Sequence, residues 1–101
     1  MKVYISGPVT GTTDYPARFA QAAAFLRNHG YEVINPVAIM APMPESTTWE
    51  GYMAVSLSLL TQADAIYSLR GWRDSKGAVV ERKMAEALGV EVLDLIDEMK
   101  V

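Results

Sequence analysis

Glu81 is the residue whose type and position most call for a chemical explanation. From Lys76 to Leu88 the chain reads Lys-Gly-Ala-Val-Val-Glu-Arg-Lys-Met-Ala-Glu-Ala-Leu, a helical run. On a wheel of about 100° per residue, Ala78, Val80, Met84, Ala85, Ala87 and Leu88 share one half, with Arg82, Lys83 and Glu86 opposite. Glu81 falls near the middle of the apolar half. A carboxylate taken from water without a partner is costly, and glutamate is rarely buried. Two readings answer this. One is structural: a buried ion pair, or a carboxylate favoured by the positive end of the helix dipole. The other is functional: a partly desolvated carboxylate facing a cleft, able to act as nucleophile or as acid/base.

The residues around it carry the same two readings. Ser75 caps the helix, and its hydroxyl and neighbouring amides can also receive an anion. Gly77 stands in the first turn, where glycine is unfavourable, and this favours close approach of backbone to a ligand. Gly7 and Gly11 serve turns or the same close approach. Tyr4 lies in an apolar run and is core by type. Trp49, Tyr52 and Trp72 read as packing residues before stacking platforms. His29 reads as a helix-end residue and Asp64 as a structural residue that opens a strand.

The elements that must hold these residues alternate. Lys2–Ser6 is a β-branched and aromatic run that stops at Gly7-Pro8, a strand and then a loop. Pro16–His29 repeats apolar residues at Phe19, Ala22, Ala23 and Leu26, one helix face, and Gly30 supplies the stop. Tyr31–Ile34 is a second strand. Residues 36–47 hold Pro36, Pro42 and Pro44 and read as a loop. Trp49, Tyr52, Met53, Leu57 and Leu60 recur at helical spacing. Asp64–Leu69 is the third strand, Gly71–Ser75 a loop, Lys76–Leu88 the third helix, and Val90–Leu95 the fourth strand, before a short terminal helical turn.

This alternation predicts a single α/β domain over residues 1–101, with four to five parallel strands joined by right-handed crossovers. The expected strand order is about 2-1-3-4 with helices on both faces, a flavodoxin-like or Rossmann-like sheet. Ligands bind such sheets beyond the carboxyl ends of the strands, where the winding reverses. Here that point lies between strands one and three, so chemistry is expected at residues 7–15 and 70–75.

Composition excludes several classes. The 101 residues are 50% hydrophobic and 21% charged, with a formal net charge of -3 and no basic stripe, so a nucleic-acid polymer is not the expected partner. There is no cysteine and one histidine, which leaves little for a disulfide scaffold, a thiolate site, a zinc site or a Ser-His-Asp triad. No apolar run reads as a signal peptide or a membrane span, and the expected location is the cytoplasm. A core this small gains from self-association.

Tyr4-Ile5-Ser6-Gly7-Pro8 after the first strand and Ser75-Lys76-Gly77-Ala78-Val79-Val80-Glu81 at the third helix resemble the nucleoside 2-deoxyribosyltransferase superfamily. Through Asn35-Pro36, Trp49, Tyr52-Met53 and Gly71-Trp72 the chain is most similar to a small branch of phage and bacterial proteins related to deoxynucleoside-monophosphate N-hydrolases. The resemblance covers nearly the whole chain, and its S-x-G-x-x-x-E element is moderately specific. It implies that Glu81 attacks the anomeric carbon and holds the sugar covalently until water or another base resolves it. The transition state is an oxocarbenium ion that a carboxylate stabilises. It further implies that Tyr4 positions Glu81. Ser75, matching a 5′-phosphate contact of the hydrolases, points to a nucleotide. Substrate contacts are expected from Ser6, Gly7, Pro8, Thr10, Gly11, Ser56, Trp72, Ser75 and Gly77. Relatives form dimers or larger rings, so a homo-oligomer is expected.

The sequence departs from the pattern twice. Ser56 stands where the family usually has an aspartate, and Thr10 where the monophosphate hydrolases carry an arginine. Arg70 and Arg73 are the candidates for the missing positive charge.

Taken together, the expectation is an N-glycosidase or deoxyribosyltransferase acting on a small nucleoside or nucleotide, with no metal or organic cofactor. One alternative is a non-catalytic nucleotide-binding or sensor module, supported by Ser56. Another is a flavodoxin-like FMN binder, in which Thr10-Gly11-Thr12-Thr13 resembles a phosphate loop and Trp72 and Tyr52 stack on flavin, although this leaves Glu81 unexplained. A receiver domain is disfavoured, because strand one ends in Ser6-Gly7-Pro8 without acidic residues.

Overall fold

Side-chain alternation along two buried strands sorts the core into two layers. In the computed structural model, which describes residues 1–93, β1 spans Lys2–Ser6 and β3 spans Ala65–Ser68. Val3 and Ile5 of β1, with Ala65 and Tyr67 of β3, pack against Phe19, Ala22, Ala23 and Leu26 of α1 (Tyr15–Asn28). Tyr4 and Ile66 point the other way, toward Leu60 of α3 (Trp49–Leu60) and Ala85 of α4 (Lys76–Leu88). Strands buried on both faces are what parallel sheets require.

The sheet is completed by β2 (Glu32–Ile34) and β4 (Glu91–Val92), giving the order β2-β1-β3-β4 with every pairing parallel. This is the expected order, with helices on both faces. Register places Tyr4 beside Ile34 on one side and Ile66 on the other. The expected continuation of the fourth strand past Leu93, and the terminal turn, lie outside the described residues. No helix among the described residues is long and apolar enough to cross a membrane.

Residues 36–47 are not loop throughout, because Pro36–Met40 forms a short helix, α2. Asn35 caps it: its Oδ1 accepts from the amides of Val37 at 3.1 Å and Ala38 at 3.3 Å. Pro36 fills the first helical position, where its missing N–H costs nothing. Here proline begins a helix.

The apolar half of α4 is also narrower than the wheel implied. Only Ala78, Glu81 and Ala85 are buried, at three- and four-residue spacing, while Ala87 is exposed and Leu88 is 46% exposed. A helix laid on a sheet buries one stripe, so residues at the margins of an apolar half remain in water. Gly89, with φ +73°, takes the left-handed conformation that closes α4.

Candidate active site

Tyr4 and Ser6 are two residues apart on β1, so both point to the face covered by α3 and α4. Ser6 is the last residue of the strand, and Gly7 follows where the chain turns out of the sheet. A Cβ at Gly7 would lie 2.8 Å from Cβ of Leu69, so the end of β1 and the segment after β3 approach only because this residue is glycine. Leu69 donates its amide to the carbonyl of Ser6 at 2.7 Å across the same gap.

Across from β1, Ser75 caps α4, accepting the amide of Ala78 at 3.3 Å. A Cβ on Gly77 would meet Met53 Sδ at 3.3 Å and Trp49 Nε1 at 3.8 Å. Glycine therefore lets the start of α4 close against the start of α3, a packing reason beside the ligand reading.

Glu81 follows on the buried stripe and is 6% exposed. Tyr4 donates its phenol proton to Oε2, and Ser6 Oγ donates to Oε1 at 2.7 Å. No ion pair with Glu81 occurs among the described residues. The carboxylate lies beyond the first turn of α4, where the helix dipole has little influence. Its partners are two neutral hydroxyls.

Burial raises the Glu81 pKa above its ordinary value, and the hydrogen bonds from Tyr4 and Ser6 pull it partway back by favouring the charged form. Tyr4 is pushed far above the ordinary phenol range, first by burial and then by the charge and hydrogen bond of Glu81, with Ser56 acting in the opposite sense. Tyr4 thus keeps its proton and remains a donor. Ser56, on α3, is buried and also lies 3.9 Å from Met40 Sδ.

Glu81 opens onto a cleft of about 700 Å³ at the carboxyl ends of the strands. Its walls come from Gly7, Val9 and Thr10 after β1, Tyr15 and Phe19 of α1, α2, Trp49 and Tyr52 of α3, and the start of α4. The size suits a small organic ligand. Among the described residues, Glu81 is the only charged one that lines it. Among the described residues, no group of three or more His, Cys, Asp or Glu could hold a metal ion.

The fold brings Gly7, Thr10, Ser56, Ser75, Gly77 and Glu81 to this cleft, with Tyr4 and Ser6 holding the carboxylate. Pro8, Gly11 and Trp72 do not line it. Pro8 lies against Gly71, and Gly11 is a turn residue at φ +83° where an added Cβ would meet nothing within 4 Å. The guanidinium groups of Arg73 and Arg82 each lie over the Trp72 ring, 4.7 Å and 4.5 Å from its centroid. Arg70 and Arg73 do not line the cleft either, so neither supplies the missing positive charge to its wall. Sequence reasoning did not single out Asn35 or the first turns of α1 as walls of the cleft. The Asn35-Pro36 pair is itself a helix-start signal that marks α2.

A family model described as Domain of unknown function (DUF4406) matches residues 1–94. The chain belongs to the DUF4406 family. A comparison of the sequence with curated proteins returns no match. Among solved structures, the DUF4406 chain is similar to a 2-deoxyribosyltransferase from the psychrotolerant bacterium Bacillus psychrosaccharolyticus. The TM-score is 0.73 at 21% identity, over 93% of this chain and 71% of that one. At this identity the likeness establishes a shared fold for the DUF4406 domain.

Proposed function

We propose that this DUF4406 protein cleaves or transfers at the N-glycosidic bond of a nucleoside, with Glu81 as nucleophile. The observation that carries the reading is a buried carboxylate held at the wall of the cleft by Tyr4 and Ser6, with no cation lining the cleft among the described residues. Such a carboxylate is oriented, partly desolvated and ready to meet positive charge, which an oxocarbenium-like transition state supplies. The similarity in fold to a 2-deoxyribosyltransferase supports the same choice.

In the first step a Glu81 oxygen bonds to the anomeric carbon while the carbon–nitrogen bond breaks. The bonding pair leaves with the base, which takes a proton from water in the open cleft. In the second step water, or a second base, attacks the same carbon and frees Glu81 as carboxylate. The incoming group loses its proton to solvent. Tyr4 and Ser6 keep their protons throughout and fix the angle of the carboxylate.

An uncharged nucleoside is the favoured substrate. Among the described residues Glu81 is the one charged group lining the cleft, so a phosphate dianion meets repulsion there; Lys76, whose Nζ lies 4.4 Å from the ring centroid of Trp49, does not itself line it. A 5′-monophosphate received by Ser75 and the first amides of α4 is the second candidate, in keeping with the resemblance to the monophosphate hydrolases. A flavin site draws no support from the first loop, where the Thr12 hydroxyl is spent on the carbonyl of Val9 at 3.0 Å. On the glycosidase reading the protein is also a homodimer or larger assembly, which light scattering of the purified chain checks.

The deciding experiment measures free base released from ribo- and deoxyribonucleosides and their 5′-monophosphates, by wild type and Glu81→Ala. Release that disappears in the mutant establishes the reading and names the substrate. No release at enzyme concentrations sufficient to see one turnover, with binding retained, favours the sensor module, for which Ser56 in place of a second carboxylate is the motive.

A further inference from the structure

We infer that Asn35 is a specificity-determining residue, whose side-chain amide donates a hydrogen bond to an acceptor on the base of the bound nucleoside. The inference rests on the reading of the cleft as a nucleoside site and assigns a role to a residue at its α2 end.

Asn35 lines the cleft from the carboxyl end of β2. Its carboxamide has one possible orientation. Oδ1 accepts from the amides of both Val37 and Ala38, and a flipped group would set NH₂ against two N–H donors. The cap thus fixes Nδ2 as the free end of the group, and Nδ2 has no hydrogen-bond partner among the described residues. A side-chain donor held by its own oxygen and left unpaired beside a cleft is preorganised for a ligand acceptor.

The surroundings indicate which part of the ligand. Val37 and Met40 of α2 line the cleft together with Phe19 of α1 and Tyr52 of α3, an apolar setting for a planar ring. The sugar has to lie where its anomeric carbon meets Glu81. The polar start of α4, with Ser75, remains for the hydroxyl-bearing side of the sugar. Asn35 then meets a carbonyl oxygen or an unprotonated ring nitrogen of the base.

The test separates the capping role from the ligand role. Asn35→Asp and Asn35→Ser both retain a capping oxygen, while each removes the amide donor, the first with added charge and the second without. Both are made in a Glu81→Gln background, so that binding is measured without turnover. Calorimetric titration uses nucleosides of the five common bases and, as a base-free probe, 2-deoxyribose. Thermal melting of each variant monitors the fold. The expected result is about a tenfold or greater loss of nucleoside affinity in both double variants, with an unchanged melting temperature and unchanged affinity for 2-deoxyribose. Equal nucleoside affinity with and without the Asn35 donor overturns the assignment. So does an equal loss for 2-deoxyribose, or absence of nucleoside binding to Glu81→Gln. Base release by wild type reports separately: none, alongside Asn35-dependent binding, overturns the glycosidase reading and leaves Asn35 its role.

Discussion

Ser6 Oγ donates to Glu81 Oε1 at 2.7 Å across 75 residues of sequence, from the last position of a central strand to a helix two crossovers later. With Tyr4 on the other oxygen, one strand face supplies both partners of the one carboxylate that is buried among the described residues. The carboxylate is held by donors that cannot neutralise it, which distinguishes it from half of an ion pair.

Replacing Glu81 removes the nucleophile. Glu81→Ala and Glu81→Gln are each expected to lower base release by about 10³-fold or more. Chromatography of the released base measures the loss. Intact-protein mass spectrometry of wild type quenched during turnover is expected to show a glycosyl adduct that both variants lack.

Removing a hydroxyl donor raises the Glu81 pKa further, because the charged form loses a partner while burial is unchanged. Activity requires the carboxylate, so it falls as pH drops through that pKa. Tyr4→Phe is expected to move the acid limb of kcat/KM upward, Ser6→Ala to move it in the same direction, and both to reduce the plateau about 10- to 100-fold. An acid limb that stays in place in Tyr4→Phe contradicts the role assigned to this hydrogen bond.

The same shift governs stability. In the folded protein the Glu81 pKa lies above its ordinary 4.5, so between the two values the folded chain holds a proton that the unfolded chain has released. The contribution of Glu81 to stability is therefore fullest below pH 4.5 and is lost as pH rises through the folded value. Glu81→Gln carries no such penalty. Its melting temperature is expected to exceed that of wild type at neutral pH, with the difference shrinking on acidification. A difference independent of pH would show that ionising Glu81 costs the fold nothing and overturn the raised pKa.

Gly7→Ala forces a Cβ to within 2.8 Å of Cβ of Leu69, an atom that cannot rotate away. The expected cost is about 1–3 kcal/mol, the range for overpacking. Urea unfolding of the variant against wild type measures it, and base release is expected to fall with it because Ser6 is the neighbouring residue.

Much of this was legible locally. The β-branched and aromatic run of Lys2–Ser6, stopped by Gly7-Pro8, and the 3.6-residue period in the helices identify the strands and the helices that cover them. Glu81 stands out because a wheel shows a charge among apolar positions. The α2 helix was hidden because three prolines read as loop, although Pro36 behind an Asn35 cap begins a helix. The exposure of Ala87 and Leu88 was hidden because a wheel counts residues in an apolar half and has no information on how wide a stripe the sheet covers.

Sequence alone therefore determined the alternation of elements, their parallel order and the presence of an unusual carboxylate on the buried side of the last helix. The elements follow from residue type, turn signals and helical periodicity, which are local, and the parallel order from their alternation. Tertiary structure decided what that carboxylate bonds to, that no other charged side chain among the described residues lines the cleft, and that Trp72 lies under two arginines and does not line it. Those facts depend on the docking of α4 over β1 and β3, a balance of packing over the whole core that no local pattern encodes.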